Sequence, residues 1–192
     1  MRRLLLALPF ALLPLAIAQA HEHEHEHEGH ASLGAHEHGV ALLNVALVGQ
    51  ALELEWASPA MNLVGFEHAA ESVADKAKVG AVRAELEQPL SLFGIPSAAG
   101  CQVAQQELES PLFGDAHGHG ETDQAHDEHE SAHSEIHAHY QLSCKQPAVL
   151  PGLNLGELFK RFPATQKIRV QLLGPNGQRG LEATSKNAIL SF

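Results

Sequence analysis

The chain is poor in the residues that most ready-made functional sites require. It has two Cys, two Met, one Trp and one Tyr in 192 residues, and aromatic residues make up only 5%. Two Cys cannot build a tetrathiolate zinc site, an iron–sulfur cluster or a disulfide-dense scaffold. Beyond the initiator, Met61 stands alone, which argues against a Met-rich copper(I) carrier. Basic residues are also scarce: 12 Lys and Arg against 23 Asp and Glu give a net charge of -11 with His neutral. That balance argues against nucleic acid, whose phosphates need a basic surface. It argues equally against an anionic membrane surface and favours cations as partners. After residue 20 no segment approaches the ~20 apolar residues that a helix needs to cross a membrane. GxSxG, Walker and Rossmann patterns are absent.

What the chain has in excess is His, 15 of them, unevenly placed. Before the first of them lies an address. Arg2 and Arg3 form a positive start, residues 4–17 are apolar but interrupted by Pro9 and Pro14, and Ala18-Gln19-Ala20 is a small-x-small cleavage pattern. Residues 1–20 therefore read as a secretory signal peptide, and no membrane insertion is expected after its removal. The mature chain would start at His21 and hold 10 basic against 23 acidic residues, a net charge of -13. Export sets an oxidising compartment, in which Cys101 and Cys144 are expected to pair as a disulfide; two unpaired buried thiols are the alternative.

Two low-complexity tracts divide the rest. Residues 21–38 and residues 115–139 carry seven His each, and His68 stands alone between them. Neither tract can bury much apolar surface, so both are expected to be flexible without a ligand. The organisation expected is a His/Glu-rich segment over residues 21–38, then one α+β domain over residues 39–192 with a His-rich loop at residues 115–135. The domain should hold antiparallel sheet and two helices. Residues 40–47 and 51–56 read as a hairpin, with Leu52, Leu54 and Trp56 alternating against Glu53 and Glu55. Residues 70–87 read as a helix stopped by Pro89, and residues 101–108 as a strand. In residues 136–144, Ile136, Ala138, Tyr140, Leu142 and Cys144 alternate with polar residues, which places His137 and His139 outward on one face. A short helix over residues 153–162 capped by Asn154, a hairpin around Pro175-Asn176-Gly177 and a last strand at residues 188–192 complete the chain.

Neutral imidazole is the commonest transition-metal ligand near physiological pH, and zinc accepts both His nitrogen and Asp/Glu oxygen. His21, His23, His25 and His27 alternate with glutamates, and His30 and His36 come after them; neighbouring carboxylates concentrate cations and supply further donors. In the second tract His117 and His119 precede His126, His129, His133 and His137, which are spaced three, four and four apart. On a helix these four would share one face; the strand reading of His137 and His139 cannot hold together with that, and a loop or short helix to about His133 is preferred. His36 and His38 at the entry to the first strand, His68 with Glu67, and His137 and His139 at the start of a later strand lie where structure is expected; same-face pairs two apart on a strand can chelate one ion, and His68 or Glu67 can complete its shell. A hydrogen-bonded structural role for His68 is as good a reading as a ligand role. Sites on such tracts should be several, exchangeable and weaker than a preformed cage, because binding must order the chain. Falling pH, from about 7 to about 5.5, should protonate imidazole and release metal.

His129-Glu130-Ser131-Ala132-His133 matches the H-E-x-x-H of zinc proteases. That chemistry needs a rigid helix, a third ligand and a cleft. Here the match falls in a tract so rich in His and Glu that it arises by chance, with no apolar face to bury such a helix. No catalysis is expected.

One further pattern is specific. His36-Glu37-His38-Gly39 leads into Leu43-Asn44-Val45-Ala46, and then comes Pro59-Ala60-Met61-Asn62-Leu63-Val64-Gly65-Phe66-Glu67-His68. Together these resemble the ZrgA-type family of zinc-regulated periplasmic proteins, and the resemblance extends over essentially the whole mature chain. The paired Cys around a His-rich loop and the terminal hairpin fit it too. The chain departs from the family pattern at Ala69-Ala70, where a Pro is expected. The resemblance implies a periplasmic zinc-binding accessory, holding several zinc ions as cargo and assisting a high-affinity zinc ABC importer through its solute-binding protein. Nickel or copper(II) handling is the alternative, since imidazole favours both by intrinsic affinity.

Overall fold

The computed structural model describes residues 37–114 and 134–192. The expected signal peptide, the first His-rich tract up to His36 and residues 115–133 lie outside the described residues. The described residues form eight strands and four α-helices: β1 (Val40–Val48), β2 (Ala51–Pro59), α1 (Ala60–Leu63), α2 (Val73–Leu86), α3 (Pro89–Leu92), β3 (Cys101–Glu109), β4 (Glu135–Cys144), β5 (Gly152–Asn154), α4 (Gly156–Arg161), β6 (Lys167–Gly174), β7 (Gly177–Thr184) and β8 (Ile189–Ser191).

A period of two builds the strands. Leu43, Val45 and Leu47 of β1, Leu52, Leu54 and Trp56 of β2, and Ile136, Tyr140 and Leu142 of β4 all turn to one buried face. Fully burying each such side chain contributes roughly 1.5–3 kcal/mol. Six strands make one sheet in the order β3-β4-β2-β1-β6-β7, while β5 and β8 form a separate antiparallel pair. In the large sheet every neighbouring pair is antiparallel except β1 and β6, which run parallel with Ala41 opposite Ile168.

The helices lie against the buried face. α2 turns Val79, Val82 and Leu86 inward. Just beyond α3, Phe93 meets Trp56 and Tyr140 edge-on, with ring centroids 6.5 and 5.7 Å apart, as ring quadrupoles favour. The Tyr140 hydroxyl donates to the Leu86 carbonyl at 2.8 Å, which ties the end of α2 to the centre of the sheet. α4 adds Leu158 and Phe159. The opposite face of the large sheet carries the alternate residues, among them Glu53, Glu55, His137 and His139.

Several expectations meet corrections here. The sheet is mixed, not wholly antiparallel, because β6 returns beside β1 in the same direction. Among the described residues there are four α-helices, not two; α1 and α3 are single turns, and α3 starts with Pro89 in its first turn, where its missing N–H costs nothing. The helix expected from residue 70 starts at Val73. Ser72 caps it, accepting from the Asp75 backbone N–H at 3.0 Å and donating to Asp75 Oδ2 at 2.6 Å. That hydroxyl, chiefly, holds the Asp75 carboxyl below the usual carboxylate range. Residues 152–154 are strand rather than helix, because Leu153 pairs with Leu190. Asn154 still serves the start of α4: its Oδ1 accepts from the Gly156 N–H at 3.0 Å. Cys101 and Cys144 face each other in the β3–β4 register and form the disulfide.

Candidate metal-binding surface

Strand direction decides where the His-rich tracts attach. β1 and β4 are each antiparallel to β2, and β3 is antiparallel to β4. The starts of β1 and β4 and the ends of β2 and β3 therefore share one end of the sheet. At that end the chain arrives at Glu37, leaves at Gly114 and returns at Ser134. Both tracts are rooted there.

Asn62 organises this end. It is 3% exposed. Its Oδ1 accepts from the Gly39 N–H at 2.7 Å, and its Nδ2 donates to the Val40 carbonyl at 3.0 Å and to Ser58 Oγ at 3.2 Å. One buried amide thus fastens the start of β1 to the corner after β2. Gly39 sits at a φ of 86°, a conformation that favours glycine. Ser134 fastens the third segment: its carbonyl accepts from the Ala60 N–H at 2.8 Å, and its hydroxyl donates to the Glu67 carbonyl at 2.9 Å.

The candidate ligands are set on this frame. His38 Nε2 lies 3.0 Å from Glu67 Oε1. His68 is exposed, with its ring stacked on Phe66 at 4.6 Å and its Nδ1 2.9 Å from the Ala69 carbonyl. A carbonyl only accepts, so Nδ1 carries the proton and the Nε2 lone pair is left outward, the arrangement of many metal-ligating His. The two readings of His68, hydrogen-bonded or ligand-competent, are thus compatible. On β4, His137 Nε2 lies 3.0 Å from Glu135 Oε2 and His139 Nε2 lies 3.0 Å from Glu53 Oε1. Both imidazoles point to the open face, as the alternation requires. With His137 in a strand, the four-His helical face of His126, His129, His133 and His137 cannot form as a whole. The open face holds a groove of about 400 Å³ whose lining includes Asn44, Glu55, Glu107, Glu109, His137 and His139.

The structure thus brings His38 to the Glu67 carboxylate and ties the residue before β4 to the Glu67 backbone, while His137 and His139 stand further along with other carboxylates. Among the described residues, no three His, Cys, Asp or Glu side chains gather into one metal-sized cluster. His21, His23, His25, His27, His30, His36, His117, His119, His126, His129 and His133 lie outside the described residues. Residue reading alone missed Glu53, Glu55, Glu107, Glu109 and Glu135. Glu53 and Glu55 were legible as a wet face, but the strand facing them was not.

An α+β chain that roots two His-rich tracts beside surface His–carboxylate pairs has the makings of a divalent-cation-binding protein. The comparison with known families makes the class specific: residues 35–192 match the ZrgA family zinc uptake protein, and the chain belongs to that family. Zinc is therefore the ion with which it is concerned, and the family is defined by uptake rather than by a reaction. Among curated proteins no match is found. No helix among the described residues is long and apolar enough to cross a membrane.

Proposed function

We propose that this is an exported, periplasmic zinc-capture protein that holds several zinc ions as cargo and passes them to the solute-binding protein of a zinc ABC importer. Its ligands are the imidazoles of both tracts together with His38, His68, Glu67, His137 and His139. It makes and breaks no bond in a substrate. The observation that carries this reading is the shared root of the two tracts. They enter the fold at the same end of the sheet, beside the His38–Glu67 and His137–Glu135 pairs. His38, Glu67, Glu135 and His137 thereby bring donors from separate parts of the sequence to one end of the sheet, and donors held close together act at a raised effective concentration. Single His–Glu pairs are incomplete coordination shells for zinc, which takes four ligands in closed sites. They suit a carrier that must release what it binds.

The test is metal analysis of the tag-free chain from residue 21, with zinc titrated against a chelator of known affinity. More than one zinc ion should be held. Replacing every His of residues 21–36 and 115–133 by Asn, and His38, His68, Glu67, His137 and His139 by Ala, should abolish uptake. A mature chain that takes up no zinc at micromolar levels would overturn the reading. Preferential retention of nickel or copper(II) in competition would overturn the choice of metal. Zinc-loaded protein should transfer its ion to the importer's solute-binding protein faster than free exchange through solvent allows.

A further inference from the structure

We infer that Phe66 is a positioning residue for zinc capture: its ring holds the His68 imidazole with Nε2 turned outward, so that this ligand is oriented before an ion arrives. The inference rests on the reading of His68 as a zinc ligand, and it names what sets that ligand's direction.

The chain is built to bring the two rings together. Gly65 has a φ of 84°, a turn that favours glycine just ahead of Phe66. Phe66 is buried and belongs to the core, while His68, two residues on, is exposed. Glu67 between them is fastened twice. Its carboxylate lies 3.0 Å from His38 Nε2, and its carbonyl accepts from the Ser134 hydroxyl at 2.9 Å. With the middle residue fixed, the imidazole lies on the Phe66 ring, the centroids 4.6 Å apart and the planes 17° from parallel. Lys78 of α2 brings its ammonium to 5.8 Å from the Phe66 centroid, within reach of a cation–π contact. The core and α2 thus hold the ring on which His68 rests.

The other ligands on the fold are oriented differently. His38, His137 and His139 each set Nε2 3.0 Å from a carboxylate oxygen. Among the described His, His68 alone keeps Nε2 clear of a carboxylate, so an ion has no proton bridge to displace there. The cost of that freedom is rotation. An exposed imidazole has several staggered χ1 wells and a broad χ2, and either nitrogen can carry the proton of the neutral ring. Stacking on an anchored ring selects one well. In that well Nδ1 meets the Ala69 carbonyl at 2.9 Å, which places the proton on Nδ1 and the lone pair on Nε2. The rotamer entropy that a free imidazole would lose on binding is already lost on folding. Without the stack, His68 spreads over its other wells and its hold on zinc weakens by about three- to tenfold.

The experiment records imidazole nitrogen–proton correlations and backbone amides of the full mature chain while zinc alone is added, with His68→Asn identifying the His68 signals. It compares the natural sequence, Phe66→Leu and Phe66→Tyr. In the natural chain the carbon-bound protons of His68 should be displaced upfield by the Phe66 ring, the proton should reside on Nδ1, and Nε2 should respond to zinc. Phe66→Leu should keep the amide spectrum of the folded protein, lose the upfield displacement, mix the tautomers and need about three- to tenfold more zinc for half the His68 response. Phe66→Tyr should restore all three signatures, which a merely space-filling role would not require. A folded Phe66→Leu whose His68 keeps its tautomer and its zinc response overturns the positioning role. The natural chain decides alone if that variant does not fold: His68 protons at the positions of a free imidazole overturn the inference too. Zinc that moves other His but not His68 overturns the inference together with the ligand role of His68, and leaves zinc capture by the remaining ligands standing. Zinc that moves none of them overturns the zinc-capture reading itself.

Discussion

Asn62 divides one amide among three partners at the start of β1 and the end of β2, since a single short side chain supplies both an acceptor and a two-proton donor. Asn62→Ala leaves the Gly39 N–H and the Val40 carbonyl without their partner in a buried place, at a cost of about 2–3 kcal/mol. The urea midpoint should fall accordingly, and the His38–Glu67 contact should loosen with the start of β1. Tyr140 gives a second test. It is the only Tyr in the chain, and burial raises its phenol above the ordinary value of 10.0. A folded-state value raised above the unfolded one means stability that is whole below about pH 10 and is lost as pH rises beyond it. Urea midpoints measured from pH 9 to 11 should fall for the natural chain. In Tyr140→Phe that alkaline step should be absent, while stability at pH 7 should drop by about 1 kcal/mol through loss of the bond to Leu86.

Among the elements, β3 depends most on a covalent tie. It is an edge strand, and of its residues Cys101 alone is buried. The disulfide to Cys144 spans 43 positions of sequence, and closing a loop of that size stabilises the fold by about 4 kcal/mol in the chain-entropy account. Chemical denaturation of Cys101→Ala/Cys144→Ala should show a loss of that order, and β3 amides should exchange with solvent before those of β2. The elements were readable where a local pattern was strong: β2 and β4 from Leu/Glu and Ile/His alternation, β1 from its apolar run, and the β6–β7 hairpin from its Pro175-Asn176-Gly177 turn. Residues 152–154 were not, because Leu153 and Leu155 fit a helix or a strand and the pairing with Leu190 comes from the far end of the chain. The same limit governs the site. His137 and His139 could be placed outward from their own strand, but Glu53 becomes their neighbour only through the β2–β4 register, which depends on core packing. The Ser72 cap outweighed a helix start at Ala70, a local competition between two weak signals.

At the scale of the whole molecule, one end of the sheet gathers the roots of both tracts while the opposite end holds the disulfide. Zinc capture is thus predicted to leave the Cys101–Cys144 end unchanged, and zinc-induced amide shifts should fade toward the β1–β2 turn at Gly49. The parallel pairing of β1 with β6 has a different consequence, one of timing. Ala41 finds its hydrogen-bonded neighbour at Ile168, so the centre of the sheet cannot close while the chain is still emerging. Long-range pairing of this kind slows folding. A polypeptide that stays threadable until nearly all of it has been made is what the proposed export requires, with the core setting only after passage through a narrow channel.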